Sequence, residues 1–349
     1  MYVNKYWLPD WFIREQYENL HRYPLFQRFG EIAKAIEENV RFYYKYQISG
    51  KERNDMRKAV WKMFRITNLR SLYKDFFEWL GKPEYFKLAS RSRLEYADVY
   101  PVIYLKIRLE GYTAYRKVKH LLVDEMQDHT PVQYAVLRKL FSCKKTILGD
   151  ANQAVNPYSS SSAEEIQKVF PEADRMTLAK SYRSTYEITQ FAQQIQPNED
   201  LIPIERHGEE PAISALQNNN DEITELQEII ARHYDPSDYQ SLGIVCKTPE
   251  QAAKLKEQLD PEGKRMQLLS ESSAHFSGGI VITSVHMAKG LEFDMVIVPH
   301  ASAKNYHSEL DRSLLYVACT RAMHRLHLTY IQAPSAFVPA EKEPEVAGN

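Results

Sequence analysis

Two short stretches place acidic and amide side chains where an apolar run ends. LLVDEMQD (Leu121–Asp128) stops at two adjacent carboxylates. A buried parallel strand delivers such residues to its C-terminal edge, where open α/β sheets bind ligands. There Asp124 can hold Mg²⁺, directly or through water, and Glu125 can orient and deprotonate an attacking water. An Asp-Glu dipeptide by itself is ordinarily solvated surface charge. The apolar run before this one, with Gln127 and Asp128 after it, favours the chemical reading. TILGDANQ (Thr146–Gln153) repeats the arrangement. Gly149 permits a tight exit from a strand. Asp150 and Gln153 then stand in a neighbouring loop, where the Gln153 amide can sense a terminal phosphate. Alone, this segment would be a plain strand-exit turn.

The elements that must position these residues follow from periodicity. His120–Val123 and Thr146–Leu148 are apolar runs separated by a helical pattern over Val132–Phe141, which makes a βαβ unit and a parallel sheet. From Tyr2 to about Arg93 apolar and aromatic residues recur at three- and four-residue spacings, as at Val60, Met63 and Phe64, so this region is expected to be helical. Gly50 and Gly81–Pro83 punctuate it, and a further helix runs from Tyr96 to Leu109, ending at Gly111. Residues 156–165 form a polar loop feeding a helix. A second α/β region begins near Met176, with strands expected at Met176–Leu178, Ile213–Leu216, Leu242–Cys246, Gly279–Thr283, Met295–Pro299 and Leu326–Tyr330. Residues 197–222 read as a surface connection, and the Pro/Glu/Ala-rich end after about Ala333 as disordered.

Composition narrows the class. The 349 residues are 44% apolar and 26% charged, with 23 tyrosines and a net charge of −1, as in a globular protein of two or three domains. The charge is uneven: residues 1–100 hold 19 Lys+Arg against 13 Asp+Glu, which leaves 26 against 33 for the rest. A basic, aromatic-rich N-terminal third could meet phosphate or an acidic protein face, or be an ordinary solvated helical surface. Cys143, Cys246 and Cys319 are widely spaced in apolar stretches, which suits buried thiols and neither a disulfide frame nor a zinc site. No apolar run is long enough to cross a bilayer and the start lacks a signal-peptide pattern, so the expected setting is cytoplasmic, with no membrane partner.

In order, the sequence shows LLVDEMQD, ILGDANQ, LAKSYRST (178–185), VITSVHMAKGLEFD (281–294) and LLYVACTRAMHRLHLTY (314–330). These resemble motifs II to VI of the UvrD/Rep family of superfamily 1 helicases. The N-terminal segments KAVWKMFRITNLRSLYKDF (58–76) and LEYADVYPVIYLKIRLEG (94–111) are more similar to the HelD branch, motors that recycle RNA polymerase. The short gap between motifs IV and V, with no room for a large 2B domain, points the same way. The resemblance implies an α/β fold of two RecA-like, P-loop NTPase-type parallel-sheet domains, the first incomplete, with a helical N-terminal region. The expected division is 1–93 helical, 94–174 partial domain 1A, 175–332 domain 2A able to fold independently, and 333–349 disordered tail.

It also implies ATP and Mg²⁺ as cofactors and single-stranded DNA or RNA as partner, with the nucleotide between the two RecA-like domains. Tyr182 would stack on adenine and Arg183 meet the γ-phosphate. Arg321 resembles the arginine finger that stabilises charge on the transferred phosphoryl group. Gly290 and Glu292 of GLEF would belong to the nucleotide side, Glu292 tying it to nucleic-acid contact. Thr283, Ser284 and His286 would line the strand groove. Without their motifs these residues would be a helix-start pair, a helix arginine and a structural histidine.

Two departures qualify the resemblance. No G-x-x-x-x-G-K-[ST] is present: Gly50-Lys51-Glu52 and Gly81-Lys82-Pro83 lack both the hydroxyl and the upstream glycine. Such a loop supplies backbone N–H groups, a lysine and a magnesium-binding hydroxyl. The chain therefore reads as one portion of a motor, with that loop on a missing N-terminal segment or a second polypeptide. The aromatic-Arg-Gly segment that follows motif III in UvrD is replaced by NPYSSSS, where Tyr158 could serve as the stacking platform. RNA polymerase, as a HelD-like partner, fits this departure. The alternative is an ATP-independent degenerate helicase domain that docks on RNA polymerase or nucleic acid. A nuclease-linked repair subunit ranks last, because the tail shows no nuclease metal cluster.

Overall fold

A computed structural model describes all residues except Met1, Asn4, Lys5, Arg91, Ser92, 156–161, Pro236, Asp238, Lys264, Glu271, Ser272, 274–277 and 340–349. The chain divides into two compact units. The first comprises Met1–Asp124, His129–Leu148 and Glu164–Glu172; the second comprises Glu125–Asp128, Gly149–Ala163 and Ala173–Asn349.

The first unit opens with a short antiparallel hairpin, β1 (Tyr2–Val3) and β2 (Tyr6–Trp7). Helices α1 (Asp10–Asn19), α2 (Leu25–Tyr44), α3 (Gly50–Lys62) and α4 (Leu69–Trp79) follow. On α2, Phe29, Ile32, Ala33, Ile36 and Val40 recur at helical spacing and all are buried, so one stripe faces the core. Met56 and Val60 of α3 join them in one cluster with Leu8, Ile13 and Ile48. Ser49 and Glu52 form a capping box that starts α3 by satisfying two end donors. A second hairpin, β3 (Leu88–Ser90) with β4 (Arg93–Leu94), precedes α5 (Tyr96–Glu110). These two strand pairs correct the expectation of a helical pattern from Tyr2 to about Arg93 punctuated only at Gly50 and Gly81–Pro83: a helical period does not register strands of two or three residues. Tyr73 of α4 donates its hydroxyl to Asp98 of α5 at 2.8 Å.

Strand β5 (His120–Val123), helix α6 (Pro131–Leu140) and strand β6 (Lys144–Ile147) form the expected parallel βαβ unit, and α7 (Ala163–Val169) follows. Leu148 N donates to Val123 O at 2.8 Å, extending the ladder to the strand exits. Among the described residues this sheet has two strands.

The second unit begins with a minor pair, β7 (Lys180–Ser181) and β8 (Ile202–Pro203), flanking α8 (Tyr186–Ile195). Then come β9 (Ala212–Leu216), α9 (Asn219–His233), β10 (Ser241–Cys246), α10 (Pro249–Leu259), β11 (Met266–Leu268), β12 (Gly279–Ser284), α11 (Val285–Ala288), β13 (Phe293–Val298), α12 (Glu309–Cys319) and β14 (Ala322–Ile331). The six strands from β9 onward form one parallel sheet in the order β11-β12-β10-β13-β14-β9. Parallel sheets are covered on both faces, and side chains alternate between them. Leu242, Ile244, Met295 and Ile297 pack with α9 and α10. Val245, Val296 and Val298 pack with α8 and α12 on the other side. This is the RecA-like α/β architecture.

Three sequence expectations need correction here. Met176–Leu178 is not a strand: Met176 and Leu178 are 85% and 82% exposed, and pairing starts at Lys180. Residues 197–222 are more than a surface connection, since they carry β8 and β9. The terminal segment is ordered beyond Ala333: Ser335 is buried, donating to Tyr306 O at 2.7 Å through its hydroxyl and to Ala301 O at 2.9 Å through its amide. Only residues 340–349 of the expected tail lie outside the described ones. Cys246 and Cys319 are buried, and Cys143 is half-buried. No helix among the described residues is long and apolar enough to cross a membrane.

Candidate functional site

Strand β5 ends at Val123, and Asp124 is the last residue of the first unit before the turn. Glu125, next in the chain, has φ +53°, a left-handed conformation that costs a non-glycine residue about 1 kcal/mol or more and recurs at functional turns. A single 3₁₀ turn, Met126–Asp128, follows. Gly149 packs directly on that turn: an added Cβ would lie 2.5 Å from both Met126 N and Gln127 Oε1. The close approach explains the glycine.

Gln127, almost fully buried, joins the two segments. Its Nε2 donates to Glu125 Oε2 at 2.6 Å, and its Oε1 accepts from Asp150 N at 3.1 Å. Asp150 caps the short turn Ala151–Gln153 by accepting from Asn152 N at 2.9 Å, while its other oxygen accepts from Gln153 Nε2 at 3.0 Å. Gln153 Oε1 in turn accepts from Arg321 Nη2 at 2.6 Å. A polar chain thus runs Glu125–Gln127–Asp150–Gln153–Arg321 without a break.

Arg321 sits between α12 and β14 and is 1% exposed. Its Nε donates to Val317 O at 3.1 Å and its Nη1 to Leu291 O at 3.4 Å. Burial, reinforced by the nearby Arg183 charge, lowers its pKa to about 10. Arg183 donates from Nε to Glu292 Oε1 at 2.5 Å, both side chains partly open. The segment bearing Arg183 is pinned to the start of β14: Ser184 Oγ donates to Ala322 O at 2.6 Å and Thr185 N to Met323 O at 3.2 Å. The Arg206 guanidinium donates to Arg183 O and, at 3.3 Å, to Met323 O. Tyr182 is 68% exposed, free to offer a ring face. Asp150, Gln153, Ser181, Arg183, Tyr316 and Thr320 line a cleft of about 60 Å³.

Two residues given no role in the sequence reading belong to this arrangement. Lys289, of the AKGLEF segment, forms ion pairs with Asp128 Oδ1 at 2.6 Å and Glu125 Oε2 at 3.6 Å from a nearly buried side chain. Its signal was available, since a lysine between buried apolar residues such as Ala288 requires a carboxylate partner. Arg206 lies outside every motif, and nothing in its neighbourhood marks it.

The residues expected in a strand groove are not equivalent. Thr283 has no accessible surface and its hydroxyl donates to Leu269 O at 3.1 Å, so a strand cannot meet it in this arrangement. Ser284 is also buried, and its hydroxyl has no hydrogen-bond partner among the described residues. His286 and Gly290 are exposed, Gly290 with φ +80°. Tyr158 lies outside the described residues.

Within the second unit two guanidiniums, one amide and the Glu125 carboxylate are thus held in a polar arrangement chemically compatible with phosphate oxygens. Two family models match the chain, UvrD/REP helicase N-terminal domain over residues 29–174 and UvrD-like helicase C-terminal domain over residues 279–329, together more than half of it. The chain belongs to the UvrD/Rep family of superfamily 1 helicases. It is 26% identical over 258 residues to a putative ATP-dependent DNA helicase of Acanthamoeba polyphaga mimivirus, a match covering 64% of this chain and 36% of that protein. The ATP-dependent DNA helicase PcrA of Staphylococcus aureus is 27% identical over 153 residues, 40% of this chain and 21% of its own length. The putative ATP-dependent DNA helicase YjcD of Bacillus subtilis is 33% identical over 89 residues, 24% of this chain and 12% of its own. This UvrD/Rep-family chain therefore spans little more than a third of its viral relative and less of the bacterial ones.

Proposed function

We propose that this chain supplies the hydrolysis-side residues of an ATP-driven motor that moves on single-stranded nucleic acid. The observation that supports it most is the continuous polar chain from Glu125 to Arg321, because it couples a general-base carboxylate, a phosphate-sensing amide and a guanidinium. Asp124 would hold Mg²⁺ and Glu125 would position the attacking water. Gln153, Arg183 and Arg321 would meet the outer phosphates, and Tyr182 the base, with Asp150, Gly290 and Glu292 supporting that side. Hydrolysis of the bound nucleotide supplies the free energy for movement. Residues 94–174 correspond in this reading to domain 1A and 175–332 to domain 2A. His286, accessible where Thr283 and Ser284 are not, is the better candidate for strand contact. The HelD-like character of the N-terminal segments adds RNA polymerase as a candidate partner.

A second reading is an ATP-independent domain that docks on nucleic acid or RNA polymerase. The two are separated by Mg²⁺-dependent ATP hydrolysis and binding of a fluorescent ATP analogue, with and without single-stranded DNA, beside Glu125→Gln. The chain alone is expected to show no turnover, and strand-stimulated turnover abolished in Glu125→Gln is expected once a segment carrying G-x-x-x-x-G-K-[ST] is added. Neither binding nor turnover even then, with strand affinity intact, would replace the motor by the docking domain.

A further inference from the structure

Tyr316 of α12 is 2% exposed, and its ring packs in the apolar cluster shared by α8 and α12. It also borders the cleft of about 60 Å³, and among the described residues its hydroxyl makes no hydrogen bond. Buried polar groups are almost always paired, so an open one on a cleft wall calls for a ligand. Burial, with the Asp150 carboxylate nearby, pushes the phenol up to about 12. At neutral pH it is therefore an uncharged donor.

Volume limits what that ligand can be. A water needs roughly 10–15 Å³ of such space, so the cleft has room for about four to six water-sized groups. Pockets for drug-sized ligands begin at about 300 Å³. A nucleobase or sugar does not fit, and a single tetrahedral oxyanion does.

The charges choose among oxyanions. Arg183 spends its Nε on Glu292, and its two outer nitrogens make no hydrogen bond among the described residues. Arg321, bonded to the uncharged Gln153, lies close enough to act electrostatically on the Tyr316 hydroxyl, so the surroundings favour an anion. Asp150 is the one carboxylate among the described lining residues. Each of its oxygens accepts one hydrogen bond, from Asn152 N and from Gln153 Nε2, and a carboxylate has about four lone-pair sites, so it can accept another. Asp150 repels an oxyanion without protons. One that keeps a proton can donate it to Asp150 while accepting from Tyr316 and Arg183. Orthophosphate keeps such a proton at neutral pH, and sulfate does not.

We infer that this cleft holds one inorganic phosphate ion in its protonated form, with the Tyr316 hydroxyl and the outer nitrogens of Arg183 as donors and Asp150 as acceptor of the phosphate proton. The source of that ion, a hydrolysed nucleotide, rests on the function proposed above; its binding does not.

The test is calorimetric titration of the full chain with inorganic phosphate at neutral pH, beside sulfate at equal ionic strength. Saturable binding at one site is expected, with phosphate preferred by about tenfold or more, the worth of one charge-assisted hydrogen bond. Tyr316→Phe should weaken phosphate binding about 10- to 150-fold for the same reason. That change removes a single oxygen, so the melting temperature in phosphate-free buffer should match or exceed the parent's. No saturable binding by the parent, equal affinity for sulfate, or an unchanged affinity in Tyr316→Phe overturns the inference. ATP turnover once a segment carrying G-x-x-x-x-G-K-[ST] is added would keep the motor reading beside any of those failures. Tyr316-dependent phosphate binding without turnover in that mixture would remove the motor and leave the phosphate site standing.

Discussion

Replacing Arg321 by methionine should leave the second unit at least as stable as before while removing its response to nucleotide. The guanidinium is buried, and with all its hydrogen bonds in place its pKa is still lowered from 12.5 to about 10. A base whose folded pKa is depressed is less comfortable charged in the fold than in water. At 1.36 kcal/mol per unit the difference is about 3 kcal/mol against folding at neutral pH. Methionine has a similar reach and no charge to desolvate, and buried charges replaced by apolar side chains of similar volume are often neutral or stabilising. Opposing this, the bonds to Gln153 and Val317 are lost; charged hydrogen bonds contribute about 1.5–3 kcal/mol each, but Gln153 is partly open, so water can replace its lost donor. The expected net lies between zero and about 3 kcal/mol of added stability. At roughly 2–4 °C per kcal/mol for a unit of this size, the melting temperature should be unchanged or higher by up to ~10 °C. The assay is thermal unfolding with and without Mg²⁺-ATP, because a ligand that binds only the folded state raises the transition. Destabilisation by more than about 2 kcal/mol, or a retained ATP-induced shift, would show that Arg321 is structural and not held for phosphate.

Three further outcomes follow from the same geometry. Gly149→Ala should destabilise by about 1–3 kcal/mol, the usual range for overpacking, because its Cβ meets a backbone nitrogen at 2.5 Å; an unchanged urea midpoint would refute the close contact. His327 is held near pKa 4 by burial, below its ordinary 6.5, so between those values the unfolded chain binds the extra proton. Stability should therefore fall by up to about 3 kcal/mol as pH drops from 6.5 through 4, and His327→Gln should flatten that limb in acid-unfolding curves. Thr283→Val should leave oligonucleotide affinity within about twofold, since its hydroxyl is buried on Leu269 O; a tenfold loss in anisotropy titrations would show that β12 opens to a strand.

Much of the second sheet was legible because parallel strands buried on both faces must be continuous apolar runs. Leu242–Cys246, Gly279–Thr283 and Met295–Pro299 announce themselves in that way. Met176–Leu178 has the same local appearance, yet no neighbouring strand pairs with it, and pairing is not encoded in three residues. Strand β11 was invisible for the opposite reason: three half-buried residues at a sheet edge carry no alternation. At the site, Glu125 and Gln153 could be named from residue types at the ends of apolar runs, and Arg183 and Arg321 through the resemblance of their motifs. Their connection through Gln127, and the ion pairs of Lys289, could not, because both depend on loops that meet only after folding.

The second unit takes Glu125–Asp128 and Gly149–Ala163 from inside the sequence of the first. Anyone cutting this gene into expressible pieces meets the result directly. A fragment opening at Ala173 keeps all six strands of the large sheet, yet it omits Val155 from the core cluster around α8 and α12, the Gln153 partner of Arg321 and the Asp128 partner of Lys289. It would begin life with a hole beside two stranded cations. Keeping the two excursions in place, joined by short glycine-serine bridges that replace the intervening sequence, is the excision most compatible with a soluble product.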